Sequence, residues 1–247
     1  MASNIQFEGD FTPSIKTWIE EEFERAFALC IKQFSGCAIE WQIPKTVVKE
    51  GYGGEARLDQ LELCLSPTLD LNAQDEEKSY QVKAAKRLIH HELVHIFQHQ
   101  VLRKNHIYAL PTWFSEGMAV AFSGQTLSWD AGQLQKDLDA MGQIPRAEQY
   151  LIMTGYKPFD MNRPPFNALY EIWGGLFAYS VAQAPKLHPD YQRNNGPHLV
   201  GDEYRRAVAI VRDTPEHGFD KALTLHTLQP ILTQANLRKE LVSFITA

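Results

Sequence analysis

Residues 88–100 read "LIHHELVHIFQHQ" and place four histidines and one glutamate within ten positions. At the centre stands His91-Glu92-Leu93-Val94-His95, an H-E-x-x-H. On a helix, residues four apart lie above one another on the same face, so two imidazoles can reach one cation. Glu92 is one step round the cylinder, near a water at that cation without being a ligand. This set suits a divalent metal, zinc best, and hydrolysis by metal-activated water with Glu92 as general base. The plain alternative for so short a motif is a polar helix face, so a third ligand has to be found.

His99 is a poor third ligand. Three imidazoles stacked along one straight helix span about 12 Å, too far to converge on ligand distances near 2 Å. The extended pattern H-E-x-x-H-x-x-G-x-x-H is also excluded, because Gln98 and Val101 occupy its glycine and last histidine positions. His90 points to another face, and both extra histidines read as outer or surface groups. Glu116 fits better. It lies 21 residues after His95 in "LPTWFSEGMAVAFSG", a gap that allows one helix to end and a second to return antiparallel. Its neighbours Trp113, Phe114, Met118, Ala119, Ala121 and Phe122 are apolar, and a carboxylate in such a setting needs a partner.

Several elements must hold these groups. Ile15, Trp18, Ile19, Phe23, Phe27, Cys30, Ile31 and Phe34 recur at three and four after Thr12-Pro13, which predicts a helix over 13–34 closed at Gly36. "CAIEWQI", "KTVVKE" and "ARLDQLELCL" alternate or are β-branched and predict a small, mostly antiparallel sheet between 37 and 66. From Asp75 the period turns helical, and Val82, Ala85, Ile89, Leu93, Ile96 and Phe97 give a buried stripe on a helix over 76–102. A second helix enters through Pro111-Thr112 and leaves at Gly124. Further helices are expected near 131–141, 146–153, 165–184, 200–213, 216–227 and 230–246. The order predicts an α+β fold with a mainly helical second half. Residues 1–110 form a sheet-and-helix lobe carrying the H-E-x-x-H, residues 111–247 a helical lobe supplying Glu116, and the two make one catalytic unit.

The blocks "HHELVHIFQHQ", "LPTWFSEGMAVAFSG" and "LYEIWGGLFAYSV" together resemble the peptidase MA-like group of gluzincin metallopeptidases. The likeness covers about residues 51 to 183. It implies a zincin-like fold, with His91, His95 and Glu116 as zinc ligands and Glu92 as base. It also implies that Tyr170 hydrogen-bonds the oxyanion, with Tyr179 in reserve because "YEIWGG" sets the glycine further along than a common pattern does. "GGEARLDQLELCL" then corresponds to an edge strand that pairs with an extended peptide. Two departures stand out. The G-x-M-E-N signature of related aminopeptidases is absent, which favours an endopeptidase. Val120 replaces a carboxylate found four positions after the glutamate ligand in some gluzincins, so the partner of at least one histidine is unassigned.

The bulk composition excludes other classes. A formal net charge of −6 with scattered Lys and Arg speaks against nucleic-acid binding. No run approaches the roughly 18 apolar residues that cross a bilayer. Three cysteines, Cys30, Cys37 and Cys64, are too few and irregular for a disulfide framework. The N-terminus does not read as a secretory leader, so a cytoplasmic location is expected, with leaderless secretion the alternative. Expected partners are therefore a peptide or protein substrate, with no nucleic acid and no membrane. Two other readings remain at this stage. One is a non-catalytic metal-binding interaction protein that keeps the zincin fold. The other is a deformylase-like amidohydrolase that uses Cys64 as its third ligand.

Overall fold

The computed structural model describes residues 5–103, 109–125 and 202–227, together with Tyr170, Trp173, Gly174, Phe177, Ser180 and Val181. Within these residues the fold is mixed α and β. Strand β1 is Ile5–Glu8 and helix α1 is Pro13–Gln33; β2 is Lys45–Glu50, β3 is Gly53–Arg57 and β4 is Gln60–Leu65. Helix α2 is Glu76–Leu102, α3 is Thr112–Ser123, α4 is Asp202–His217 and α5 is Phe219–His226. The six described positions between 170 and 181 are all helical.

Local chemistry sets the helix ends. Thr12 Oγ1 accepts from the Ile15 N–H and Pro13 opens α1 with its φ already fixed. Asp75 Oδ1 accepts from the Lys78 N–H at 2.8 Å and starts α2; such a cap contributes about 1 kcal/mol. Gly124 ends α3 in the left-handed conformation that a side chain disfavours. The helix expected over 200–213 spans Asp202–His217, with Pro215 tolerated in its last turn, and it stops at Gly218 with φ +79°. The helices expected near 131–141, 146–153 and 230–246 lie outside the described residues.

The sheet differs from the sequence expectation. Its order is β1-β2-β4-β3, with β1·β2 and β2·β4 parallel and only β3·β4 antiparallel, so it is mixed rather than mostly antiparallel. Two causes are visible. The short N-terminal stretch Ile5–Glu8 adds a parallel edge, and β4 slots between β2 and β3. The chain crosses over the end of β4 through Gly51 and Tyr52, with the Gly51 N–H on the Leu65 carbonyl at 3.1 Å. Gly51 and Gly53 take φ +146° and +119°, which suits glycine at so tight a crossing.

"CAIEWQI" is not a strand. The Gln100 side chain satisfies the Gln42 backbone instead, accepting from its N–H at 2.9 Å and donating to its carbonyl at 2.8 Å. Trp41 stacks on Phe97 with centroids 4.3 Å apart. Side-chain amide and ring together replace the sheet partner that the alternation implied.

One face of the sheet, carrying Val48, Leu61, Leu63 and Leu65, packs toward the helices. Among the described residues one apolar core runs from Phe11 through α1, α2 and α3 to Leu223 and draws on both sides of position 110. Phe34 sits in a ring of aromatics with Trp41, Phe97 and Phe122, centroids 5.3–5.8 Å apart. Each such pair adds about 0.5–1.5 kcal/mol beyond simple burial. The middle of α2 is therefore buried on every side, and Ile89, Leu93, Val94, Ile96 and Phe97 are fully enclosed.

Candidate metal centre

Three elements converge on the H-E-x-x-H stretch. Helix α2 supplies His91, Glu92 and His95, all less than a tenth exposed. Helix α3 packs across α2 and brings in Glu116, whose side chain keeps 16% exposure. Strand β3 lies along the other flank of Glu92.

His91 Nε2 and His95 Nε2 are 3.1 Å apart, and Glu116 Oε2 lies 3.3 Å from the first and 3.4 Å from the second. A tetrahedral zinc with ligands at about 2.0–2.1 Å has ligand–ligand edges of about 3.3–3.4 Å. The three atoms therefore form one face of such a tetrahedron, and the donor set of two imidazoles and one carboxylate matches it chemically. Glu116 Oε2 is buried without an aligned hydrogen bond among the described residues, as is His91 Nδ1. An orphaned carboxylate oxygen is costly, and a cation at the centre of the triangle would satisfy it. Among the described residues, His91, His95 and Glu116 are the group of His, Cys, Asp or Glu side chains able to share an ion.

The electrostatics are those of a tight, largely buried cluster. Burial alone would push the Glu116 carboxyl up, but the positive field of His95, with contacts to both rings, holds it well below the usual carboxylate range. Burial would likewise lower His95, yet the Glu116 carboxylate outweighs it and carries the ring up to about 9. Glu92 goes the other way. Its burial raises the carboxyl, and the neighbouring histidines offset this only in part.

Two glycines make the approach possible. A Cβ on Gly54 would stand 2.5 Å from Glu92 Cγ and 2.9 Å from its Oε1, so β3 touches the carboxylate only because Gly54 has no side chain. A Cβ on Gly117 would stand 2.2 Å from the Trp173 carbonyl oxygen and 2.7 Å from Phe177 Cβ. Gly117 thus admits the helical residues that carry Tyr170, whose ring meets the edge of His91 at 5.8 Å between centroids. Tyr179 lies outside the described residues.

The remaining sequence candidates fall elsewhere. His90 Nε2 is paired with Gln33 Oε1 at 3.0 Å inside the core, and burial lowers the ring to about 4. His99 also falls to about 4 through burial, followed by the charge of His95. Cys64 faces the outer side of the sheet with Glu62, 4.0 Å from its Oε1, and is no part of the ligand triangle. That placement removes the residue on which a deformylase-like site would depend.

Sequence reasoning missed Gln98 and Ser115. Gln98 is fully buried. Its Oε1 lies 3.0 Å from His95 Nδ1, its Nε2 donates to the Ser115 carbonyl at 3.0 Å, and Ser115 Oγ donates to Oε1 at 2.7 Å. A polar amide on the same helix face as His95, three residues on, was the available signal. Gly54 was also missed, since its role depends on a contact between distant elements.

No protein-family model, curated protein or solved structure matches this chain.

Proposed function

We propose that this chain is a zinc-dependent peptide-bond hydrolase of zincin-like fold, acting on peptide or protein substrates as an endopeptidase. The observation that carries the reading is the triangle of His91 Nε2, His95 Nε2 and Glu116 Oε2, whose edges of 3.1, 3.3 and 3.4 Å fit one face of a tetrahedral zinc site. When bound, zinc would supply Lewis acidity, lowering the pKa of water to about 7 and polarising the scissile carbonyl.

The protein groups have separate tasks. His91, His95 and Glu116 would hold the ion and leave the outward side open, where Glu116 retains its exposure. Glu92 would take the proton of the attacking water and pass it to the leaving amine. Its burial raises the carboxyl toward the range where a general base works best at neutral pH. Tyr170, beside His91, would donate its phenol to the developing oxyanion. Strand β3 hydrogen-bonds only β4 within the described sheet, so its other edge would pair with an extended peptide lying past Gly54 and Glu92.

The deciding experiment joins elemental analysis of the purified chain to a proteomic cleavage-site screen with and without chelator. One zinc per chain and chelator-sensitive cleavage are expected. Bound zinc without cleavage would mark a metal-binding interaction protein, and absence of bound metal after zinc loading would end the metal reading altogether.

A further inference from the structure

We infer that Gln98, anchored by Ser115, is a positioning residue that fixes which nitrogen of His95 faces the metal. This rests on the metal reading above and extends it to groups that do not touch the ion.

The hydrogen-bond roles follow from one atom whose chemistry is not in question. The Ser115 main-chain carbonyl can only accept, so the group facing it at 3.0 Å is the Gln98 amide NH2. The opposite end of that amide is then the oxygen, which also can only accept, and it faces His95 Nδ1 at 3.0 Å. Nδ1 must therefore carry hydrogen. In the neutral ring the nitrogen whose lone pair is free for a metal is then Nε2, and in the charged ring it is the one that sheds its proton; this is the atom aimed at His91 Nε2 and Glu116 Oε2. Turning the amide round would set two oxygens against each other at a fully buried side chain.

Ser115 secures the arrangement. Its hydroxyl donates to Gln98 Oε1 at 2.7 Å and lies 3.4 Å from His95 Nδ1, so the amide oxygen has both lone pairs engaged. Ser115 is also the residue before Glu116. The Gln98 bond to its carbonyl thus ties the start of α3 to α2 at the point where the second and third ligands meet. Position 120, one turn after Glu116, is the buried apolar Val120 and offers His95 no acceptor. The neutral amide of Gln98 performs that task without adding a second negative charge beside Glu116.

The test separates orientation from mere packing. Gln98→Leu loses both the acceptor for His95 and the donor to Ser115. Gln98→Glu keeps the acceptor and loses the donor. Both variants should melt lower than the parent, since both abandon the Ser115 carbonyl. Only Gln98→Leu should weaken zinc, by about 10- to 100-fold in competition titrations against a chromophoric chelator. Gln98→Glu should bind within a few-fold of the parent. In the zinc-loaded parent, 1H–15N spectra should show a slowly exchanging Nδ1–H proton for His95, which Gln98→Glu keeps and Gln98→Leu loses. Equal zinc affinity in Gln98→Leu and the parent, or equal loss in both variants, would overturn the inference while the metal reading survives. If Gln98→Leu does not fold, the parent spectrum decides by itself, and a His95 ring bearing its proton on Nε2 refutes the assignment. A parent chain that takes up no zinc would overturn both readings together.

Discussion

His91 Nε2 and His95 Nε2 face each other across 3.1 Å, one turn apart on the buried middle of α2. Two nitrogen lone pairs at that distance repel unless a proton or a cation lies between them. The Glu116 carboxylate, 3.3 and 3.4 Å away, supplies the counter-charge for either. The site is thus built around a shared positive charge, and the variants below separate holding that charge from using it.

Replacing Glu92 by Gln should leave about one zinc per chain and reduce cleavage by about 100- to 10,000-fold, the usual share of a general base. Zinc content and turnover of a denatured protein pool, measured on one preparation, check this. Cleavage at the parent rate would remove Glu92 from its role.

Glu116→Ala should lower zinc affinity by more than about 100-fold, because outer partners of ligands are alone worth about 10- to 100-fold. Competition with a chelator of known affinity reads the change. Unaltered binding would move the third ligand to another residue.

Gly54→Ala tests the contact between β3 and the base. Gly54 has no left-handed backbone to strain, so the added methyl acts through its 2.5 Å approach to Glu92 Cγ. Zinc binding should persist while kcat falls by about 100-fold, the cost of displacing a reacting group by about 1 Å. Loss of metal instead would show that β3 supports the ligands and not the base.

Tyr170→Phe should retain metal and lower kcat by about 10- to 1,000-fold, in line with removal of one oxyanion donor. An unchanged kcat with a lower melting temperature would assign the ring a packing role beside His91 and Trp173.

Asp213 gives a pH prediction away from the metal centre. Its bond to Arg212, aided by His226 at 2.6 Å, holds the carboxyl down to about 2 from an ordinary 3.8. A depressed folded-state pKa contributes stability that is complete above the unfolded value and disappears as pH falls through the folded one. The urea-midpoint gap between parent and Asp213→Asn should therefore be steady above about pH 5 and close between about pH 4 and pH 2. A gap that persists at pH 2 would show that the loss is steric.

Local signals made part of this molecule legible in advance. The 3.6-residue stripe and the caps at Thr12 and Asp75 placed α1 and α2 closely, and Pro111 and Gly124 did so for α3. The cluster of His91, His95 and Glu116 was legible too, because H-E-x-x-H spacing and a carboxylate among aromatics are properties of short segments. Sheet topology was not. Nothing in "KTVVKE" or "QLELCL" states that they run parallel or which strand lies between them. The failed strand at 37–43 has the same cause, since Gln100 and Phe97, almost sixty residues away, took over the partners its alternation seemed to need. Gln98 escaped notice because a lone glutamine reveals its purpose only when the carbonyl it meets is known.

The insertion of β4 between β2 and β3 makes it the strand that joins them. β3 leaves the ribosome before β4, yet β4 is the only strand it hydrogen-bonds in the described sheet. In the folded sheet β2 and β3 stand two strand spacings apart, about 9.6 Å, with β4 between them. β4 spans that gap by pairing with both neighbours, and it holds β3 where Gly54 lies against the Glu92 side chain. A chain ending in the turn after Arg57 would carry Gly54 but neither the strand that anchors it nor the carboxylate it lies against.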